Sequence, residues 1–387
     1  MSPERSMPQM DTLTRIMREI WLNRSISRIK IAENLHIVKS AVTSQVNTLI
    51  EQGIAQETAE GETGKRGGRK PIYLSINKDY GYIFGIEIQT TYIIAVAVNL
   101  AGDILETITE DGLSVSKDNL VATIIAFYKR LKKQMKYHQG KLLGLGVGTG
   151  GLISPRDGTI FFSAPLSISE PLNIIQEITR CIDTPFFIEN DANCCAWGEL
   201  TFNRCPEPRN ILFVLVEFKQ ALADKKKYGG VGVGFGIVIN GTVYYGSDFY
   251  AGEFRSVLCD RADDLQFSLS REELSRIFTD KSVLEKFSSE LAKNIAMLVN
   301  TMNFNRVFIG GDIESVEFDF CELLKRKINE NWIYPINKQV MTQYSSLGAK
   351  SVAYGAAARL LDWLFSSSNF PLSEIKAITK NPGKTQK

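Results

Sequence analysis

At 387 residues the chain is long enough for two or three folding units, and its 44% apolar and 23% charged residues are ordinary for a globular protein in water. A net charge of +2 gives no general attraction to nucleic acid, so any such surface must be local. Six scattered cysteines without a C-x-x-C pair, two histidines (His36 and His138), no run of about 18 apolar residues and a first thirty residues that carry Asp and Glu and lack a long apolar core argue against a disulfide framework, a zinc ribbon, His-based catalysis, a membrane span and a signal peptide; a cytoplasmic location is expected.

Leu13, Ile16, Met17 and Ile20 recur at helical spacing and predict a first helix. Ser25 and Ser27 flank a break, Ile31 to Leu35 reads as a short second helix, and His36-Ile37 as a turn. Val42, Val46, Leu49 and Ile50 form the apolar stripe of a third helix, Gly53 closes it, and a strand starts at Ile54. Two short helices joined by a tight turn and followed by a hairpin is the winged helix-turn-helix pattern, here assigned to residues 1–75 and expected to fold separately. On the third helix Ser40, Ser44 and Asn47 face away from the stripe, flanked by Lys39 and Thr43; short polar side chains suit the phosphates and base edges of double-stranded DNA. Val38 stands where a Ser or Thr cap would be expected. A protein-binding module with a solvated polar face is the alternative reading.

Lys65, Arg66, Arg69 and Lys70 surround Gly67-Gly68 just before Pro71, a basic loop suited to phosphate and minor-groove contact at a wing tip, or else a plain solvated linker. From Tyr82 the chain turns β-rich. Tyr82 to Ile88, Tyr92 to Val98 and Ile104 to Ile108 read as strands, followed by a helix from about Asp118 to Tyr137 and a buried strand, Leu142 to Val147, that runs into Gly148-Thr149-Gly150-Gly151. A further helix, the strand Pro185 to Ile188 and a helix opened at Asn193 complete one lobe. A second set begins at Ile211 to Val216, continues through Gly232 to Ile239 and Val243 to Tyr245, and ends with helices and Val307 to Gly311. The pattern is therefore two α/β lobes, 76–200 and 201–347, with a cleft between them; a C-terminal helix at 348–366 is expected to complete the first lobe, and residues 367–387 to be a disordered tail. Lys225-Lys226-Lys227 reads as a solvated loop.

Glu189-Asn190-Asp191-Ala192-Asn193 with Gly198-Glu199 resembles the signature of the ROK family (repressor, open reading frame, kinase). Gly150-Gly151-Leu152-Ile153, Gly232 to Gly241, Ala251-Gly252-Glu253, Ile309-Gly310-Gly311, Gly355-Ala356-Ala357 and Gly67 to Pro71 extend the resemblance over residues 10 to 362. It implies an actin-like, ribonuclease-H-like, sugar-kinase-like body with a monosaccharide or derivative between the lobes, and ligand contacts from Gly150, Gly151, Asn190, Asp191, Glu253, Arg255 and Ser256. Asp191 holds the position of the base of the family's kinases, but a carboxylate also binds a sugar diol without catalysis, or serves simply as an acid at a helix N-terminus.

The departures from the family pattern point away from kinase chemistry. The family's Asp-x-Gly-Gly-Thr phosphate loop reads Glu87-Ile88-Gln89-Thr90-Thr91 here, so side chains stand where phosphate would lie, and the longer Glu87 is ill placed for octahedral Mg²⁺. The family's His-Cys₃ zinc set is reduced to Cys259, with Ser256 at the histidine position, so no zinc is expected. Arg255 suggests either an acidic or phosphorylated sugar or a surface ion pair, and Pro165 replaces a polar sugar contact. The leading expectation is a DNA-binding regulator, a repressor of carbohydrate metabolism, that acts as a homodimer or higher homo-oligomer, needs neither ATP nor zinc, and has no catalytic residues or membrane partner. An active ATP-dependent sugar kinase and a constitutive DNA-binding protein with an inert body are the alternatives.

Overall fold

A computed structural model describes residues 10–60, 72–202, 210–219, 230–260 and 265–366. The head opens with α1 (Thr12–Asn23), started by the Asp11 carboxylate, which accepts the Thr14 N–H at 2.7 Å. Its Ile16, Met17, Ile20 and Trp21 are buried on one face. After β1 (Ile26–Ser27), α2 (Arg28–Leu35) begins three residues earlier than the apolar spacing suggests, because the Ser27 hydroxyl caps it through the Lys30 N–H at 3.2 Å. α3 (Lys39–Glu51) buries Val42, Val46 and Leu49 and starts at Val38 with no side-chain cap, as expected. β2 (Ala55–Glu60) and β3 (Ile72–Ile76) pair antiparallel, with β1 on the free edge of β3. The basic loop from Lys65 to Lys70, the Lys225–Lys227 loop and the tail after 366 lie outside the described residues.

The body is a duplication. In the first lobe, β4 (Gly81–Ile88), β5 (Tyr92–Asn99) and β6 (Ile104–Asp111) run antiparallel, α4 (Leu120–Gln134) crosses over, and β7 (Lys141–Thr149) returns parallel to β4. A small sheet of β8 (Leu152–Ser154), β9 (Thr159–Phe162) and β10 (Leu172–Asn173), which the sequence pattern does not announce, precedes α5 (Ile175–Cys181). Then β11 (Phe186–Asn190) pairs with β7, and α6 (Asp191–Phe202) leaves its end. The second lobe repeats this plan. β12 (Ile211–Lys219), β13 (Gly230–Ile239) and β14 (Thr242–Val243) are antiparallel; after α7 (Arg271–Ser275) and α8 (Lys281–Met302), β15 (Arg306–Gly311) is parallel to β12; α9 (Phe320–Glu330) leads to β16 (Met341–Tyr344). The sheet orders are β11-β7-β4-β5-β6 and β16-β15-β12-β13-β14, the same topology twice. Tyr244 and Tyr245 do not extend β14 as the apolar run suggests, because Tyr245 turns inward to donate its hydroxyl to Glu189 at 2.7 Å.

The last helix, α10 (Ser351–Ser366), returns to the first lobe and packs on β4 and β7, on the face opposite α4. It approaches backbone to backbone: a Cβ on Gly85 would lie 1.9 Å from the Ala353 carbonyl oxygen, and one on Gly355 would lie 1.8 Å from that of Cys194 on α6. The sequence reading treats the head as a separate folding unit. In the structure, however, its apolar core continues into the body: Ile16, Ile20 and Trp21 share one buried cluster with Ile83, Val98, Leu361 and Phe365. No helix among the described residues is long and apolar enough to cross a membrane.

The tight α6–α10 contact gives a first prediction. Gly355→Ala should cost at least about 1–3 kcal/mol of stability, the range for overpacking a filled core. A thermal melt that leaves the midpoint unmoved would show that the two helices have room to part.

Candidate functional site

The cleft floor is made by two parallel strands that end side by side. β7 and β11 pair with Thr149 opposite Asn190, so the turn at Gly150-Gly151 and the start of α6 face the same opening. Gly151 is there by necessity: its φ is +136°, and a Cβ would lie 2.4 Å from the Phe162 carbonyl oxygen. Asn190 donates its amide to the Gly151 carbonyl at 3.1 Å and accepts the Asn193 N–H at 3.1 Å, which ties the turn to the helix start. Asp191 is 7% exposed, and its Oδ1 accepts the Ala192 N–H at 2.8 Å. A cavity of about 280 Å³ opens over these groups, with Gly150, Gly151, Asn190 and Asp191 on one side and Gly232 to Gly234, Glu253 and Gln266 on the other. Phe162, Pro165 and Leu215 supply apolar walls. Glu253 is held across the cleft by a bridge to Gly234 on β13. Solvent reaches its side chain, yet crowding by protein, with the Asp191 charge second, raises its carboxyl to about 6. A larger depression of about 670 Å³ lies over α7 and α8, but it is lined by side chains such as Lys286 and Glu285 that are mostly open to water and belong to one lobe alone.

The opposite side of the cleft is filled by the protein itself. Gln89 donates its side-chain amide to Glu217 of β12 at 2.6 Å, a bond from one lobe to the other. Thr90 donates its hydroxyl to the Pro165 carbonyl at 3.0 Å. Glu87 is 2% exposed; its Oε1 accepts the Tyr92 hydroxyl at 2.9 Å, while its Oε2 is buried without a partner. Desolvation pushes the Glu87 carboxyl up to about 8, against the Tyr92 hydrogen bond that favours the ionised form. Side chains with internal partners do not form a phosphate cradle. These residues do not fit Mg²⁺-ATP.

Two of the expected ligand contacts are not brought to the cavity. Ser256 is 3% exposed, and its hydroxyl accepts from Asn294 of α8 at 3.0 Å and from the Leu258 N–H at 3.1 Å, so it is bound into the second lobe's interior. Arg255 is exposed, with a guanidinium nitrogen 3.6 Å from the Cys259 sulfur, and does not line the cleft. The Cys259 thiol donates to the Phe267 carbonyl at 3.1 Å, and no group of three His, Cys, Asp or Glu side chains among the described residues is placed to hold a metal. The donor set does not fit zinc.

Sequence reasoning missed Gln266, which lines the cavity and clamps its second-lobe wall. Its amide donates to the Val233 and Phe254 carbonyls at 2.8 Å each and accepts the Val233 N–H at 2.7 Å. It also missed Glu217 and Tyr245, which join the lobes; none of the three stands in a motif. On the head, Lys39, Ser40, Thr43, Ser44 and Asn47 are all exposed on α3. Thr43 turns its hydroxyl back to the Lys39 carbonyl at 2.9 Å, and Asn47 accepts from Arg28 of α2 at 3.4 Å.

Residues 83–265 match the model of the ROK family. The xylose repressor of Bacillus subtilis (strain 168) is 31% identical over 249 residues, which is 63% of this chain and 59% of the repressor. The glucokinase of Halalkalibacterium halodurans is 27% identical over 225 residues, 54% of this chain and 62% of that enzyme. A crystal structure of a ROK family transcriptional regulator, a homolog of the E. coli MLC protein, covers 92% of this chain and 98% of its own with a TM-score of 0.69 at 16% identity, a likeness of fold. The body is accordingly a mixed α/β, sugar-kinase-like, actin-type fold.

The buried Glu87 gives a prediction with a definite sign. An acid raised from its ordinary 4.5 to about 8 keeps its proton in the folded chain while the unfolded chain loses it. Its stabilising contribution is fully present below about 4.5 and is lost as pH rises to about 8. Glu87→Gln, which cannot ionise, should gain on the wild type between pH 5 and pH 8 in urea unfolding. An equal difference at both pH values would show that Glu87 is ionised in the folded chain.

Proposed function

Starting from a chain that carries a ROK family domain over residues 83–265, we propose that it is a sugar-responsive, DNA-binding transcriptional repressor with no phosphoryl-transfer activity. The observation that carries the reading is the asymmetry of the cleft. Amide and carboxyl groups of Asn190 and Asp191 meet the Glu253 carboxyl across the cavity, while the Gln89–Glu217 bond closes the place where a nucleotide phosphate would enter. Hydroxyl groups of a monosaccharide need convergent partners of the first kind in a small, partly apolar cavity. Repressor relatives named for xylose make D-xylose the first effector to test.

In this reading residues 10–76 are a winged helix-turn-helix. α3 enters the major groove with Lys39, Ser40, Thr43, Ser44 and Asn47 toward the DNA, and Lys65, Arg66, Arg69 and Lys70 meet the backbone or minor groove. Two heads in a homodimer match two operator half-sites, and the ligand acts by favouring one lobe arrangement over another. The protein works in the cytoplasm without zinc or ATP. A second reading, an active sugar kinase, is favoured by Asp191 at the family's base position beside Asn190, and by the glucokinase likeness.

One set of assays separates them. D-xylose should raise the melting temperature without ATP, by mass action, and no ADP should appear. Asp191→Asn should weaken sugar binding by about 1.5–3 kcal/mol, the value of a hydrogen bond to a charged group. Sugar-dependent ADP release at an enzyme-like rate would overturn the reading in favour of the kinase. In mobility shifts, Asn47→Ala should alter base preference, whereas Arg66→Ala with Arg69→Ala should flatten the log-log salt dependence by roughly 0.9 per lost phosphate contact. Elemental analysis should find well under one zinc per chain, with the melting temperature indifferent to chelator; stoichiometric zinc would contradict the donor-set argument.

A further inference from the structure

Glu189, Arg359 and Asp362 have no role in the reading above, yet they lie between the cleft and the head. Glu189 is 1% exposed and sits one residue before Asn190. Its Oε1 accepts the Asn190 N–H at 3.0 Å and the Asn193 side-chain amide at 3.4 Å, so the ligand-facing turn is built on this carboxyl. Burial raises Glu189, and the foremost influence opposing that is the positive charge of Arg359 on α10. Arg359 lies over the rings of Phe187 and Trp197, 5.1 Å from each centroid; against its burial, Tyr245, then Glu189, then Asp362, less than one turn further along α10, keep it charged. Asp362 pairs with Arg18 of α1 at 3.3 Å, and Arg18 also donates to Ser366. Beside them Phe365 stacks on Trp21, with centroids 4.6 Å apart and planes 13° from parallel.

Charges thus alternate from the cleft to the head: Glu189, Arg359, Asp362, Arg18. The middle two ride on one helix, whose first half lies backbone to backbone against β4 at Gly85 and against α6 at Gly355. Coupling between distant sites needs an element that both can bias. We propose that α10 carries cleft occupancy to the head, with Glu189 and Arg359 as positioning residues at the cleft end and the Asp362–Arg18 and Phe365–Trp21 contacts at the head end. This rests on the reading that the cleft takes a sugar and the head takes DNA.

Two measurements on the full chain test it. The first needs no ligand: hydrogen exchange in Arg359→Met. Amides of α1 should exchange roughly fivefold faster or more, at the lower end of ordinary coupling factors, and Arg359→Lys should restore most of the protection. Changes confined to β11 and α6 would mean that Arg359 is only local packing, and would overturn the relay. The second uses D-xylose and operator DNA. In the wild type the sugar should change DNA affinity by roughly 5–150-fold. In Arg18→Gln the sugar should still raise the melting temperature and DNA should still bind, but the sugar's effect on DNA affinity should fall below about twofold. An undiminished effect would overturn the proposal. If D-xylose leaves the wild-type melting temperature unchanged, the choice of sugar is wrong, and the exchange measurement still decides the relay.

Discussion

At Gly85 and Gly355 the helix α10 meets backbone instead of side chains, and much of the molecule is arranged around that contact. The helix comes last in the chain but lies on the first sheet, against α6, which itself packs on β12 and β13 of the second sheet. One helix pair therefore forms the seam between the lobes. Because α6 begins at Asp191, the cleft-facing carboxyl is fixed by the same packing that joins the halves. The far end of α10 then carries Phe365 and Asp362 to the head. The close packing at the seam ties the cleft wall to the head mount through one helix.

The electrostatics of the cleft divide along the same line. Asp191 and Glu253 lie where a ligand can reach them, and each charge disfavours ionisation of its neighbours; Glu253 is raised partly for that reason. Glu87, buried deeper and raised further, can stay neutral, which spares the site a further anion. The cavity is walled by carboxyl groups, by Arg271 and by Phe162, Pro165 and Leu215. Arg255 is exposed and does not line it, so Arg255 gives no support for an acidic or phosphorylated sugar.

Much of this was legible in the sequence, where period and punctuation carry information. The stripe of Val42, Val46 and Leu49 and the uncapped start at Val38 could be read directly, as could most strands of both lobes. The strands β7 and β11 could be placed from short apolar runs that end before Gly148 and Glu189, but their pairing could not. What could not be read depends on folding in three dimensions. Ser256 looked like a ligand residue by its place after Glu253, but Asn294, 38 residues on, claims its hydroxyl. Gln266 and Tyr245 sit in runs with no periodic or motif signal, and their roles exist only because distant carbonyls and carboxyls come to meet them. Trp21 and Phe365 stack, and nothing in either segment of sequence says so.

The bond from Gln89 to Glu217 has a consequence for the rate at which the cleft can be filled. It and the Tyr245–Glu189 bond stitch the lobes at two places, so the lobes part further only when both break. Breaking stitches worth about 1–3 kcal/mol each leaves a minor open population of a few per cent or less. A ligand that enters only through the open form fills the cleft at a rate reduced by that fraction. Gln89, standing where the family's kinases have glycine, thus acts as a latch that sets how often the lobes part.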